Sequence, residues 1–143
     1  MKTISLLIYI PFLLVFSCCS STEPDDKEDA EKSFENTLWV LEFFEENGTN
    51  VNPPSDQEYN ITFSSDTTFS GQCDCNRIGG LYYIEENGKI SVTKIGTSFA
   101  YCGDDSKDDI YYGGIQNSYL YVLNKNKLVL HYSENSALHF ISN

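Results

Sequence analysis

The chain has 143 residues, which suits one domain plus appendages. Aromatic residues make up 14% of it and hydrophobic residues 41%, with ten Tyr and nine Phe, so a wholly disordered chain is excluded. The formal net charge of −12 excludes nucleic acid and an anionic lipid surface as natural partners.

The N-terminus reads Met1-Lys2-Thr3, then an apolar run over residues 4–16 interrupted by Pro11, then Ser17-Cys18-Cys19. A charged start, a short apolar stretch and a small residue before a cleavage point define a secretory leader, and the run is too short to span a bilayer comfortably. Val15-Phe16-Ser17-Cys18 resembles a bacterial lipobox, with Phe16 where that pattern prefers a small residue. The resemblance implies diacylglyceryl alkylation of Cys18 and cleavage before it. Each buried methylene of an acyl chain contributes about 0.8 kcal/mol, so two or three chains hold a protein firmly on a membrane. Residues 1–17 are therefore assigned as a lipoprotein signal peptide. All 21 acidic residues follow Cys18. Residues 18–35, charge-dense and without a periodic apolar face, are assigned as the lipidated Cys and a flexible acidic tether. An acidic stretch at this place also resembles the surface-export signals of some Gram-negative lipoproteins, so the periplasmic face and the cell surface are both open.

A domain over residues 36–143 follows. Residues 38–44 are bulky and aromatic and predict a strand, ended by the turn signal Asn47-Gly48. Residues 59–63 alternate with period two, and Ser64-Ser65-Asp66 turns them into a hairpin mate over 67–71. A Cys- and Gly-rich loop comes next. Residues 81–84 and 89–92 flank Asn87-Gly88, a strong hairpin signal. Residues 96–101 predict another extended segment. Helix signals concentrate at 105–117, where Asp104, Asp105 and Ser106 are N-cap candidates and Ser106 with Asp109 has capping-box-like spacing. Ile110, Tyr111, Gly114 and Ile115 form one face, weakened by Gly113-Gly114. Strands over 119–123, 128–132 and 137–141 close the chain. The fold class is α+β, a small curved antiparallel sheet or partial β-barrel with one helix late in the chain.

These residues resemble the META domain family, which includes the HslJ-type heat-shock lipoproteins. Trp39-Val40-Leu41 matches its first strand. The run from Phe69 through Ser70-Gly71-Gln72-Cys73-Asp74-Cys75 to Asn76-Arg77 matches its centre, followed by Gly80 and Tyr82. Thr97 to Cys102 matches a later strand, and Leu128-Val129-Leu130 and Leu138-His139-Phe140 match the closing ones. Cys73 is an extra thiol relative to the family, and Tyr101 stands where an aliphatic residue is frequent. The resemblance implies an exported or anchored protein linked to stress tolerance, motility or secretion, and carries no catalytic residues.

Cys73, Cys75 and Cys102 are the cysteines of the domain, and export places them where disulfides persist. One must stay unpaired. Cys73 and Cys75 share a face in an extended segment, so strand parity does not choose between them, although a turn beginning at Asp74 would separate them. The resemblance favours Cys75–Cys102, closing a loop of about 28 residues worth about 3 kcal/mol; Cys73–Cys102 is the alternative. A Cys-x-Cys redox or metal site is disfavoured by spacing and by the lack of a nearby His.

Other constellations read first as structure. His131 and His139 sit on the last two strands as a cross-strand pair, with no third metal ligand. Residues 104–109 lack calcium-loop spacing and suit helix capping. Gly71, Gly79 and Gly80 fit bends in a curved sheet. Trp39 reads as a core anchor, and as a ligand platform in second place. Arg77, the one Arg, reads as half of an internal ion pair or a carbonyl clamp, and as a carboxylate-ligand contact in second place, with Asn76 beside it.

No catalytic constellation, metal site or cofactor motif is present in the sequence. The expected function is a non-enzymatic, lipid-anchored module of the bacterial cell envelope, on the outer membrane, monomeric and linked to stress tolerance. Its expected partners are the membrane, through its lipid, and an envelope protein or small ligand. A small-molecule or peptide binder using the mouth of the curved sheet, as a hydrolase inhibitor would, is the alternative. A thiol-dependent enzyme is a further one and requires an exposed thiol near a base or a positive group.

Overall fold

The computed structural model describes residues 33–143. Nine strands run antiparallel in one sheet: β1 (Trp39–Glu46), β2 (Thr49–Val51), β3 (Tyr59–Phe63), β4 (Thr68–Cys73), β5 (Asn76–Ile84), β6 (Ile90–Thr97), β7 (Leu120–Asn124), β8 (Lys127–Ser133) and β9 (Ser136–Ile141). Among the described residues a single α-helix, α1 (Asp108–Gln116), lies between β6 and β7, and a short 3-10 turn, Glu86–Gly88, joins β5 to β6. The strand order is β6-β5-β4-β3-β1-β9-β8-β7, with β2 paired on β1 off this path. The fold is mostly β, a curled antiparallel half-barrel with one helix. Its two outer strands meet only at one point, where Lys89 bridges Leu120 and the Ile90 N–H donates to the Tyr119 carbonyl at 3.1 Å.

Alternation places the core. Tyr59, Ile61 and Phe63 of β3 point inward with Phe69 and Cys73 of β4, Leu128 and Leu130 of β8, and Leu138 and Phe140 of β9. β1 breaks its own alternation. Trp39 and Leu41 are buried, the register with β9 then shifts between Leu41 and Phe43, and Phe44 is the next buried residue. This bulge turns Phe43 outward onto the His139 ring at 4.2 Å and bends the strand at the centre of the sheet. α1 covers the concave side, packing on β4, β6, β8 and β9 through Tyr111, Gly114 and Ile115. Gly114 lowers helix propensity but admits Leu138, whose Cδ1 would lie 3.0 Å from an added Cβ.

Several boundaries differ from the sequence expectation. Phe34 and Glu35, assigned to the tether, belong to the folded domain. Phe34 is 7% exposed and stacks on Phe63 at 4.4 Å, and its carbonyl accepts the Trp39 Nε1–H at 3.0 Å. Glu35 accepts the Tyr82 hydroxyl at 2.8 Å. The expected Cys- and Gly-rich loop is mostly strand, because only Asp74 and Cys75 form the turn between β4 and β5. The extended segment expected over 96–101 is β-paired only to Thr97, and residues 98–107 are irregular. The helix starts at Asp108, not 105. The Ser106 Oγ accepts the Asp108 N–H at 3.2 Å, while the Asp109 N–H is taken by Asp108 Oδ1 at 3.1 Å, so the capping-box spacing of Ser106 and Asp109 is not used.

Gly71 is required by close approach of β3. A Cβ there would sit 2.1 Å from the Asn60 carbonyl oxygen, a backbone atom that cannot rotate away. Gly96 has open space at its Cβ position and no positive φ. In chemical denaturation, Gly71→Ala is expected to lower stability by at least about 1–3 kcal/mol, as overpacking does, and Gly96→Ala to stay within about 0.5 kcal/mol. Equal midpoints for the two variants would contradict this account of the sheet.

Candidate functional site

The tight turn of Asp74 and Cys75 sends three side chains in different directions. Asp74 adopts φ +57°, a conformation Asp tolerates better than most residues. Cys73, at the end of β4, is 1% exposed. Cys75, in the turn, is exposed and bonded to Cys102 with a Cα–Cα distance of 5.5 Å. Asn76, opening β5, is buried. The turn therefore separates the two thiols that strand parity could not distinguish.

Asn76 is the hub of the region. Its Oδ1 accepts the Ala100 N–H at 2.8 Å and the Ser98 hydroxyl at 3.1 Å. Its Nδ2 donates to the Ala100 carbonyl at 3.0 Å, to Cys102 Sγ at 3.2 Å and to Asp108 Oδ2 at 3.3 Å. A backbone N–H on one side and a carboxylate on the other leave a single sensible orientation of the amide. Ser98 adds a second clasp: its N–H donates to the Arg77 carbonyl at 3.1 Å and its Oγ accepts the Arg77 N–H at 3.0 Å. Together with the disulfide, these bonds fix residues 98–102 to the start of β5 without a β-ladder.

The clamped segment carries two aromatic side chains into solvent. Phe99 is 93% exposed and Tyr101 80% exposed, and the Tyr101 hydroxyl donates to Asp104. Between the segment and the first turn of α1 lies an open cleft of about 390 Å³. Its walls include Phe99, Tyr101 and Tyr112, Asp108 and Asp109 stand at the helix start, and Cys73 and Asn76 form the floor. A second groove, of about 510 Å³, lies on the other side of Cys102 and is lined by Asp56, Asp104 and Asp105 among others.

Beneath the floor the chemistry is quiet. The Cys73 thiol donates to the Asp108 carbonyl at 3.4 Å. Burial pushes its pKa up to about 12, helped by the carboxylates of Asp108 and Asp74. A nucleophilic thiol needs the opposite surroundings, exposure and positive charge. The Tyr59 hydroxyl accepts the Lys107 N–H at 2.8 Å and donates to Gln57 at 2.9 Å. The hydroxyl of Tyr111, held well above its ordinary pKa by burial, and Asp74 Oδ2 are buried with no hydrogen-bond partner among the described residues.

The remaining candidates separate. Trp39 is wholly buried in the core, its indole N–H spent on Phe34. The Arg77 side chain is exposed and makes no ion pair or carbonyl contact among the described residues, contrary to the expected clamp. Strand alternation explains the difference: the buried neighbours Asn76 and Ile78 flank it, so Arg77 points outward. His131 faces Ala137 and His139 faces Val129, so the two are diagonal rather than opposite. His139 Nε2 sits 2.9 Å from Glu45 Oε2. Among the described residues no three His, Cys, Asp or Glu side chains gather to hold a metal ion. Cys18 lies outside the described residues. Phe99, Tyr112, Asp108 and Asp109 were not foreseen as neighbours, and the available signal was Phe99 and Tyr101 in a segment without strand alternation.

A curled half-barrel with a disulfide joining the β4–β5 turn to a later loop defines the class of this protein. Residues 32–143 match the META domain family, and the chain belongs to it. A protein from Burkholderia xenovorans, solved by NMR, superposes with a TM-score of 0.66 at 22% identity, over 77% of this chain and 83% of that one. A DUF4847 family protein from Bacteroides vulgatus, a crystal structure, gives 0.59 at 16% identity, over 77% and 94%. At these identities the likeness is one of fold. No curated protein matches the chain.

Two adjacent residues should respond oppositely to truncation. Asn76→Ala removes the side-chain partner of the Ala100 N–H and of Asp108 Oδ2 and is expected to cost about 1–3 kcal/mol, read by thermal or denaturant unfolding. Arg77→Ala is expected to stay within about 0.5 kcal/mol.

A pH dependence follows from Cys73. Its folded pKa of about 12 exceeds the ordinary 9.0, so below pH 9 the thiol is protonated in both states and contributes no slope. Above that the unfolded chain loses the proton and the folded chain keeps it, so stability falls as pH rises toward 12. Tyr59, Tyr82, Tyr111 and Tyr132, all raised chiefly by burial, act in the same direction. Melting temperature measured from about pH 8 to about pH 11 should decline, and less steeply in Cys73→Ala. A flat profile would show that the thiol is not desolvated.

Proposed function

We propose that this META domain protein is a non-enzymatic, lipid-anchored interaction module of the bacterial cell envelope, of the HslJ-like type and linked to stress tolerance. Cys18 carries the lipid, residues 1–17 are the signal peptide, and the acidic residues that follow act as a tether holding a monomeric domain off the outer membrane. The observation that carries the interaction role is the clamped segment with Phe99 and Tyr101 exposed beside a cleft. Large aromatic side chains exposed on a clamped backbone are characteristic of binding surfaces, because little backbone entropy is lost when a partner covers them. The inert surroundings of Cys73 favour this reading over a thiol-dependent enzyme. Among the described residues no helix is long and apolar enough to cross a membrane.

A second reading, a small-molecule or peptide binder, is favoured by the volume of the cleft. At about 390 Å³ it lies within the range of roughly 300–1,000 Å³ found for ligand sites, and it combines aromatic walls with a few polar groups.

The anchor is tested by replacing Cys18 with Ser and fractionating the cells. The variant is expected to leave the membrane fraction and to lose the mass of the acyl chains. A variant that stays membrane-bound with unchanged processing would remove the lipoprotein reading.

A further inference from the structure

The position of the cleft in the domain is set by strand direction. The chain enters the fold at the Phe63 end of β3, where Phe34 stacks on Phe63, Glu35 bridges it, and the Asn36 N–H donates to its carbonyl at 2.7 Å. The same end holds Tyr82 of β5, bonded to Glu35. The cleft lies at the other end of these strands, at Cys73 and Asn76. At about 3.3 Å per residue, the run of β5 from Asn76 to Tyr82 separates the two ends by roughly 20 Å. The chain entry and the cleft thus occupy opposite ends of the same strands, so an N-terminal attachment does not cover the cleft.

The chemistry of the cleft selects that partner. Asp108 and Asp109 stand on one side, the rings of Phe99, Tyr101 and Tyr112 on the others, and no Lys or Arg lines it. Asp108 is already engaged, through Oδ2 with Asn76 and through Oδ1 with the Asp109 N–H. The Asp109 carboxylate accepts no hydrogen bond among the described residues and is exposed. An anionic occupant would be repelled. A purely apolar one would desolvate the carboxylates without compensation. A cation on an apolar stem satisfies both surfaces, its head pairing with the carboxylates and its stem or guanidinium plane lying on the rings. Arg suits this best, because its planar fork both stacks and hydrogen-bonds.

Phe99 decides between a free amine and a polypeptide. With 93% of its surface in solvent, it extends beyond the cleft, and a small amine seated between the rings and Asp109 would leave it uncovered. A chain that inserts one basic side chain and lays a neighbouring residue across Phe99 covers both. The net charge of −12 steers such a segment inward. We propose that the cleft is the docking site for a basic segment of a partner polypeptide, with an Arg or Lys side chain seated between Asp109 and the rings of Phe99, Tyr101 and Tyr112. This deepens the interaction-module reading and rests on it.

The full chain in detergent micelles would be tested against a library of short peptides with a central Arg and varied flanking residues. The same library with citrulline at the centre keeps the shape and removes the charge. Arg peptides are expected to be selected over their citrulline twins by at least tenfold in affinity, and to weaken as salt rises. Asp109→Asn and Phe99→Ser, both at exposed positions, should each reduce binding of the selected peptide about tenfold without shifting the melting temperature, a change of ~1.4 kcal/mol in binding. Equal binding of citrulline peptides, no selection at all, or unchanged affinity in both variants would overturn the proposal. Agmatine bound as tightly as the best peptide would overturn the polypeptide assignment. Repeating the measurement on the Cys18→Ser protein separates the two readings, because membrane release and peptide binding are independent readouts.

Discussion

A single buried primary amide organises the functional end of this domain. Asn76 has two donor hydrogens and one carbonyl oxygen, and between them they reach four groups of the chain: the backbone of Ala100, the hydroxyl of Ser98, the sulfur of Cys102 and the carboxylate of Asp108. In the interior such a network is strong when complete and costly when broken. An aliphatic side chain of similar size would fill the space but take the Asn76 partner from the Ala100 N–H and from Asp108 Oδ2. The Cys75–Cys102 bond acts on the same segment from the neighbouring residue. The covalent link restricts the unfolded chain, while the amide specifies the folded one, so the two devices are complementary rather than redundant.

The sheet itself depends on a different constraint, curvature. Nine strands laid flat would present one unprotected face and two open edges. Here the bulge in β1, at the centre of the strand order, bends the sheet, and Gly71 lets β4 press against β3. The concave face is then filled by aromatic rings. Phe34, Phe63, Phe69 and Tyr82 form one cluster and Phe44, Tyr59, Tyr111 and Phe140 another, with centroids mostly 4.4–6.1 Å apart. The first cluster lies where the chain enters the fold, and the second lies under α1 beside the cleft. Burial in these clusters lifts the tyrosine pKa values, the same desolvation that silences Cys73.

Acidity is distributed unevenly over this frame. Apart from the pairs of Lys127 with Glu42 and His139 with Glu45, the described Asp and Glu side chains make no ion pair with another described side chain. Asp108 and Asp109 sit in the first turn of α1, where the helix dipole offsets their charge and where Asn76 and the Asp109 N–H hold the Asp108 side chain in place. Asp109 remains directed to solvent in a setting of rings. Structure and charge thus meet at one pole of the half-barrel, while the opposite pole is occupied by the incoming chain and its buried Phe34.

Local chemistry was enough to determine much of the fold. Alternation in residues 59–63, the Asn87-Gly88 turn and the closing strands were legible because each signal is carried by neighbours in sequence. The core role of Trp39 was legible for a similar reason, a large apolar ring in a strand. The disulfide was legible only as a choice between two partners, because Cys73 and Cys75 are alike in an extended chain; the turn at Asp74 and Cys75 decided it by ending the strand between them. The strand from Asn76 to Gly80 read as a loop because its glycines carry no side-chain pattern, and only the close approach of Phe69 to both and of Ile95 to Gly80 explains them. Arg77 read as a buried clamp from its isolation in the sequence, yet its place between two inward-facing residues turned it to solvent. The cleft had no sequence signature at all. Its walls come from residues 97–101 and 108–112, and its floor from Cys73 and Asn76, more than twenty residues earlier. Composition and local pattern specify elements, but which irregular segment lies against which strand is decided by long-range hydrogen bonds such as those of Asn76, and those exist only once the sheet has curled.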